Sequence, residues 1–260
     1  MGRIIAIANQ KGGVGKTTTC VNLAAALAMN RQRVLVVDLD PQGNATVGAG
    51  IDRNEVAVSG YHVLMDERSV RDALIEAPEG GFHVVPGNSD LTAAEVRLME
   101  SEGREQHLRR QLARIRDDFD YILIDCPPSL NILTVNALVA AHGVLIPIQC
   151  EYYALEGLTA LLDTIRRVQQ QANNELVIQG LLRTMFDPRN NLANQVGAQL
   201  MQHFPKQVYS TLIPRNIRLA EAPSHGLSAI HYDRYSRGSL AYMALASEII
   251  RKDMTAAATA

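Results

Sequence analysis

The segment Ala8-Asn-Gln-Lys-Gly-Gly-Val-Gly-Lys-Thr-Thr18 limits the possible folds more than any other, because a β-branched apolar run, Arg3–Ala8, precedes it and a helix-forming run, Thr17–Met29, leaves it. Its glycines let the backbone turn tightly enough for successive N–H groups to converge on one point. The N-terminus of the following helix adds its partial positive charge there. Strand, glycine-rich turn and helix in that order make an anion-binding unit for a nucleotide. Lys16 is placed to reach the β- and γ-phosphates and the Thr17 hydroxyl to ligate Mg2+, while Gly12, Gly13, Val14, Gly15 and Thr18 supply the enclosing backbone. A glycine-rich turn can also be purely structural, but Gly15-Lys16-Thr17 at a helix start favours the phosphate reading.

The rest of the chain repeats the pattern. Continuous apolar runs at Arg33–Asp38, Phe82–Pro86, Tyr121–Asp125, Val144–Ile148 and Val177–Arg183 read as strands buried on both faces. Helical stretches at Gly103–Arg116, Leu130–Ala141 and Ala154–Gln171 lie between them. The alternation predicts right-handed crossovers and an α/β fold, a doubly wound, mostly parallel sheet flanked by helices, with ligands at the carboxyl ends of the strands. Residues 52–81 are the least readable, with short helices expected around Ser59–Met65 and Val70–Glu76. One domain is expected over residues 1–254, and the small residues 255–260 read as a frayed, flexible tail.

The loop departs from the usual G-x-x-x-x-G-K-[ST] pattern, since Gln10 stands where the first glycine belongs and a second lysine follows at Lys11. That lysine would face the like charge of Lys16 and the helix dipole. It is either a solvated surface residue or a group that reaches a second nucleotide across a dimer interface, stabilising the charge that develops in the transition state. Asp125 ends a buried strand, where a carboxylate without a partner is costly. Either it holds Mg2+ through water, beside Thr17, or it caps the helix beyond Pro127-Pro128; its place after the phosphate loop favours the metal. Asp38 and Asp40 close the second strand. Asp38 is expected to support the loop or the metal shell, and Asp40 reads on its own as an Asx-turn residue before Pro41.

Composition narrows the class. Of 260 residues, 47% are apolar and 20% charged, the profile of a globular chain with a sizeable core. Three scattered cysteines suggest neither disulfides nor a zinc site. Neither a secretory signal nor an uncharged apolar run of about 18 residues is found, so no stable membrane insertion is expected and the cytoplasm is the expected compartment. The absence of N-K-x-D after a late strand argues against a GTPase. The net charge of −2 hides a basic stretch: residues 183–237 hold seven Lys or Arg against three acids, a net of +4. Such a face is by default a solvated surface, but arginines also suit a phosphate backbone.

Lys11–Thr18 resembles the deviant phosphate-binding loop (Walker A) of the MinD/ParA group of P-loop ATPases. Asp38-Leu-Asp-Pro-Gln-Gly-Asn44 and Tyr121-Ile-Leu-Ile-Asp-Cys-Pro-Pro-Ser129 are similar to the second and third motifs of the ParA (Soj) chromosome-partition ATPases. Glu151–Gly157 and Pro214–Pro223 also look like that family, so the resemblance runs from Arg3 to about Lys252. It implies hydrolysis of ATP with Mg2+, in a homodimer sandwiching two nucleotides, with Lys11 crossing to the partner's phosphates and Asp40 orienting the attacking water. It places the adenine against Pro214 and Asn216, near Met185, and implies nucleoid association through non-specific double-stranded DNA contacts by Arg189 and Arg218. A ParB-like partner would stimulate hydrolysis. Only Met1 and Gly2 precede the first strand, so an operator-reading helix-turn-helix extension is not expected.

Three other readings compete. A MinD-like membrane-associated ATPase would want a lysine-rich amphipathic C-terminal helix, whereas Leu240–Met254 reads as a core-docking helix. An iron–sulfur reductase would need bridging cysteines, and neither Cys126 nor Cys150 sits in a matching motif. A ParA relative positioning some other cargo would share every motif above.

Overall fold

The computed structural model describes residues 2–152 and 154–259; Met1, Tyr153 and Ala260 lie outside them. The strands are β1 (Arg3–Ile7), β2 (Val34–Asp38), β3 (Ile75–Glu76), β4 (His83–Val85), β5 (Tyr121–Asp125), β6 (Gly143–Gln149) and β7 (Val177–Thr184). Among the described residues they form one sheet in the order β3-β4-β2-β5-β1-β6-β7, parallel except where β3 meets β4. The helices are α1 (Lys16–Met29), α2 (Asn44–Gly48), α3 (Gly60–Leu64), α4 (Leu91–Met99), α5 (His107–Ala113), α6 (Ile132–Ala140), α7 (Ala154–Gln171), α8 (Asn191–His203), α9 (Ile217–Glu221), α10 (Ala229–Tyr232) and α11 (Arg237–Thr259).

Successive side chains of a strand point to opposite faces, so continuous apolar strands feed two cores. Ile4 and Ala6, with Leu35, Val37, Ile122 and Ile124, pack under α4, α6 and α7. Ile5 and Ile7, with Val34, Val36 and Leu123, pack under α1 and α11. Leu23 and Leu27 of α1 are fully buried in the second core, each contributing about 2 kcal/mol by area alone. The Thr19 hydroxyl shares a 3.0 Å hydrogen bond with the buried Tyr242 of α11, so the helix that leaves the phosphate loop is fixed from both sides. Tyr242, Leu245, Ala246 and Ile249 dock α11 into the core as its pattern predicts.

Three features differ from the sequence-based expectation. The helix expected around Val70–Glu76 is a 3-10 turn over Val70–Ala73 followed by β3, because Leu74 turns extended and Ile75 pairs with Val84. The stretch Gly103–Arg116 is α-helical only over His107–Ala113, with a 3-10 turn beginning at Arg116. Residues 255–259 continue α11 instead of fraying; alanine-rich sequence has a high helix propensity, and nothing in the segment breaks the helix. No helix among the described residues is long and apolar enough to cross a membrane.

Candidate nucleotide site

Register brings the chemistry together. Ile7 of β1 and Asp38 of β2 both pair with Asp125 of β5, so the phosphate loop and two acidic strand ends meet at one level of the carboxyl edge. The loop is held by the protein on every side. The Asn9 side chain donates to the Pro147 carbonyl at 2.7 Å and accepts from the Lys11 N–H at 3.0 Å. The Thr184 hydroxyl, from the end of β7, donates to the Val14 carbonyl at 2.8 Å. Gly13 and Gly15 take φ of 74° and 88°, the left-handed region that glycine enters without a Cβ penalty. Gly15 in that conformation opens α1.

Lys16 is 7% exposed, with its amine 3.4 Å from the Lys11 carbonyl. Burial pushes its pKa down, and the fields of Asp125, Cys126 and Asp40 oppose that. The Thr17 hydroxyl donates to Asp125 Oδ2 at 2.7 Å, while Asp125 Oδ1 is buried without a partner. Burial and the neighbouring Asp38 charge raise the Asp125 pKa well above the carboxylate range, against the Thr17 bond. A buried, orphaned carboxylate oxygen beside a hydroxyl costs about 1–3 kcal/mol until something meets it. A hydrated hard cation does so, and the oxygen-only donor set fits Mg2+. Among the described residues there is no group of three His, Cys, Asp or Glu side chains able to hold a metal, so a cation here depends on phosphate oxygens as well.

The turn after β2 is rigid for an identifiable reason. Asp38, wholly buried, accepts from the Asp40 N–H at 3.1 Å, the Thr46 N–H at 2.8 Å and the Thr46 hydroxyl at 2.7 Å. The Gly87 N–H donates back to that hydroxyl at 2.9 Å. Asp40 itself makes the expected Asx turn, accepting from the Gln42 N–H at 3.0 Å, and also lines the cleft with Gly12, Lys16, Thr17 and Pro128. The turn role and a role in the cleft are therefore compatible.

A second cleft, of about 510 Å3, adjoins the first through Gly15, Thr18 and Met185. Met185, Ile213, Pro214, Asn216, Leu219 and Tyr242 line it. It is of a size and apolar character that suit a nucleoside. Pro214 is held by the bridge from Phe186, whose N–H donates to Ile213 O at 3.0 Å. Asn216 spends its side-chain oxygen capping α9 through the Arg218 N–H.

Three expected residues stand apart from this constellation. Lys11 is neither fully solvated nor on its own phosphate path: its amine is 2.6 Å from Glu151 Oε2 at the open rim. Arg189 pairs with Asp187 at 2.8 Å, and Arg218 with Glu221 at 2.8 Å and Asp233 at 3.2 Å. Sequence reasoning missed Thr46, Thr184 and Glu151 as supports. Their only signal is that each follows or ends a strand at its carboxyl edge.

A family model described as an AAA domain matches residues 2–178. The sporulation initiation inhibitor protein Soj of Bacillus subtilis is 52% identical over 249 residues, 96% of this chain and 98% of the relative. The chromosome partitioning protein ParA of Myxococcus xanthus is 50% identical over 253 residues, 97% of this chain and 89% of the relative. Among solved structures, cobyrinic acid a,c-diamide synthase from Mycobacterium smegmatis with bound ADP and magnesium superposes with a TM-score of 0.85 at 40% identity, covering 96% of this chain and 95% of the other.

Proposed function

Because the chain belongs to the ParA/Soj group of AAA-domain P-loop ATPases, we propose that it hydrolyses ATP as a nucleotide-sandwiching homodimer that binds nucleoid DNA without sequence preference and partitions chromosomal or plasmid DNA. The observation that carries this reading is the coexistence of a complete phosphate site, Lys16, Thr17 and Asp125, with a second loop lysine whose amine lies outside it.

The Lys16 amine neutralises charge on the β- and γ-phosphates, and loop N–H groups surround them. Bound Mg2+, held by Thr17 and through water by Asp125, would draw charge from the β–γ bridge. Asp40, fixed by Asp38 and the Gln42 N–H, orients the attacking water in line with the γ-phosphate. Lys11 leaves Glu151 and reaches the partner's triphosphate, supplying the cation that a lone site lacks. The base rests in the Met185–Pro214–Asn216 cleft. A ParB-like protein stimulates the step, and the protein works in the cytoplasm on the nucleoid. A different cargo remains the second reading, since its machinery would be the same.

Dimerisation has a clean test. A Cβ added at Gly12 meets nothing within 4 Å in the single chain, so the fold tolerates Gly12→Val, and the added bulk stands at the mouth of the cleft, where the second subunit would close. The variant is expected to stay monomeric with ATP by light scattering while keeping the ATP Kd within about threefold, since the loop N–H groups stay in place. An unchanged ATP-dependent dimer would refute the sandwich.

DNA binding is tested by co-sedimentation with ATP, ADP or no nucleotide at two salt concentrations. Binding is expected only with ATP and should fall steeply with salt. Replacing Arg189 and Arg218 by alanine should reduce the salt slope by about two, one for each lost phosphate contact. Their acidic neighbours can give way because exposed ion pairs contribute only about 0–1 kcal/mol. Equal binding in all nucleotide states would remove DNA from the function.

A further inference from the structure

We propose that Glu95 is a positioning residue for the hydrolytic step: its carboxylate holds Asn131, and through it the Cys126–Leu130 loop, as the wall of the cleft that Asp40 also lines. The inference rests on the ATPase reading above.

Asp125 and α6 are joined by six residues, Cys126 to Asn131. The upstream end is tied where the Cys126 N–H donates to Ile7 O at 3.2 Å. The downstream end is tied twice. Asn131 Oδ1 caps α6 by accepting from the Leu133 and Thr134 N–H groups at 3.1 and 3.2 Å. Its amide nitrogen donates to Glu95 Oε1 on α4. The Thr134 hydroxyl then donates to the Ser129 carbonyl at 2.6 Å, closing the loop on itself. Between the ties, Pro127 and Pro128 fix φ and remove two N–H donors, so the segment moves as a stiff unit.

Glu95 is half-buried and faces the reaction space, lining one cleft with Asp40, Thr17 and Pro128. Burial and the Asp40 charge raise its pKa, as expected for a carboxyl group on that wall, and the Asn131 amide is the donor that meets it there. Without the tie, Asn131 still caps α6 and the shared core still packs α4 beside it, but the hydrogen bond that sets α4 against the end of the proline loop is gone. In-line attack tolerates little error: a displacement of about 1 Å in a positioning group can cost on the order of a hundredfold in rate. Nucleotide affinity depends on Lys16 and the loop N–H groups, which the tie does not touch. The chemical step should therefore suffer and binding should not.

Three variants separate this from a plain staple between helices. Glu95→Ala removes the acceptor. Glu95→Gln keeps an oxygen for the Asn131 amide. Asn131→Asp keeps the helix cap, a strong one at a helix N-terminus, but cannot donate to Glu95. Phosphate release at saturating ATP and Mg2+ is measured with the ATP KM for each, with Lys16→Ala as the blank. The expected result is a kcat lowered about tenfold or more in Glu95→Ala and Asn131→Asp, a KM within about twofold, and a kcat restored to within about threefold in Glu95→Gln. Wild-type kcat in either Glu95→Ala or Asn131→Asp overturns the proposal, as does a Glu95→Gln variant no faster than the alanine one. If the wild-type chain turns over no faster than the Lys16→Ala blank, the ATPase reading itself has failed and the inference goes with it. Normal wild-type turnover with indifferent variants sinks the inference alone.

Discussion

Lys16→Ala is expected to raise the ATP Kd by at least about thirtyfold, since truncating one partner of a buried charge pair costs about 2–5 kcal/mol. The reason lies in the empty-handed neighbours as much as in the lost contact. Lys16 is almost wholly buried, and its field opposes the rise that burial and Asp38 impose on the Asp125 pKa. Without it, the triphosphate would enter a cleft lined by Asp40, with Asp38 and Asp125 buried nearby, that has lost its buried cation. Loop N–H groups and the α1 terminus still favour an anion, but each at a fraction of the strength of a desolvated ammonium. Calorimetric titration with ATP and Mg2+ measures the change. Retained wild-type affinity would mean that the nucleotide does not sit on this loop.

Asp40→Ala is expected to bind ATP as well as the unsubstituted chain, accumulate as dimer, and lose about a hundredfold or more in kcat. Its side chain does not line the base cleft and takes no part in the Thr17–Asp125 hydrogen bond, so both survive the substitution. The Asp38–Thr46–Gly87 bonds survive the substitution, because Asp38 accepts from the backbone N–H at position 40 and not from its side chain. What disappears is the carboxylate that can accept a proton-bearing water in the cleft. Phosphate release and light scattering in the same preparation read both halves of the prediction. Normal turnover would remove Asp40 from the water-orienting role.

Much of this was legible in the chain. The five long strands and the phosphate loop announce themselves because sheet burial on both faces demands unbroken apolar runs, and because Gly15-Lys16-Thr17 is contiguous. Asp125 is legible because a carboxylate ending such a run needs a partner. Features resting on few residues or distant pairings were not. β3 has two residues and exists only because Ile75 finds Val84. Helix α4 carries Leu91, Ala94 and Leu98 at helical spacing but is short, and α8 is weakly patterned. Lys11 and Glu151 are 140 positions apart, and Thr184 and Val14 are 170 apart. Local propensity says nothing about either pair. By contrast, Asp187 beside Arg189 and Glu221 beside Arg218 lie within three residues, so those pairings could have been read directly.

Neither border of the sheet is a long, fully open edge. On one side β3 is too brief to template a neighbour, and on the other β7 is bridged at Leu181 by Val208, with Phe186 just beyond it bridged by Pro214. An open border invites other chains to add strands without limit. The hazard grows with local density. With one border brief and the other bridged, strand addition between copies is disfavoured, so crowding should not draw the chain into fibres of that kind.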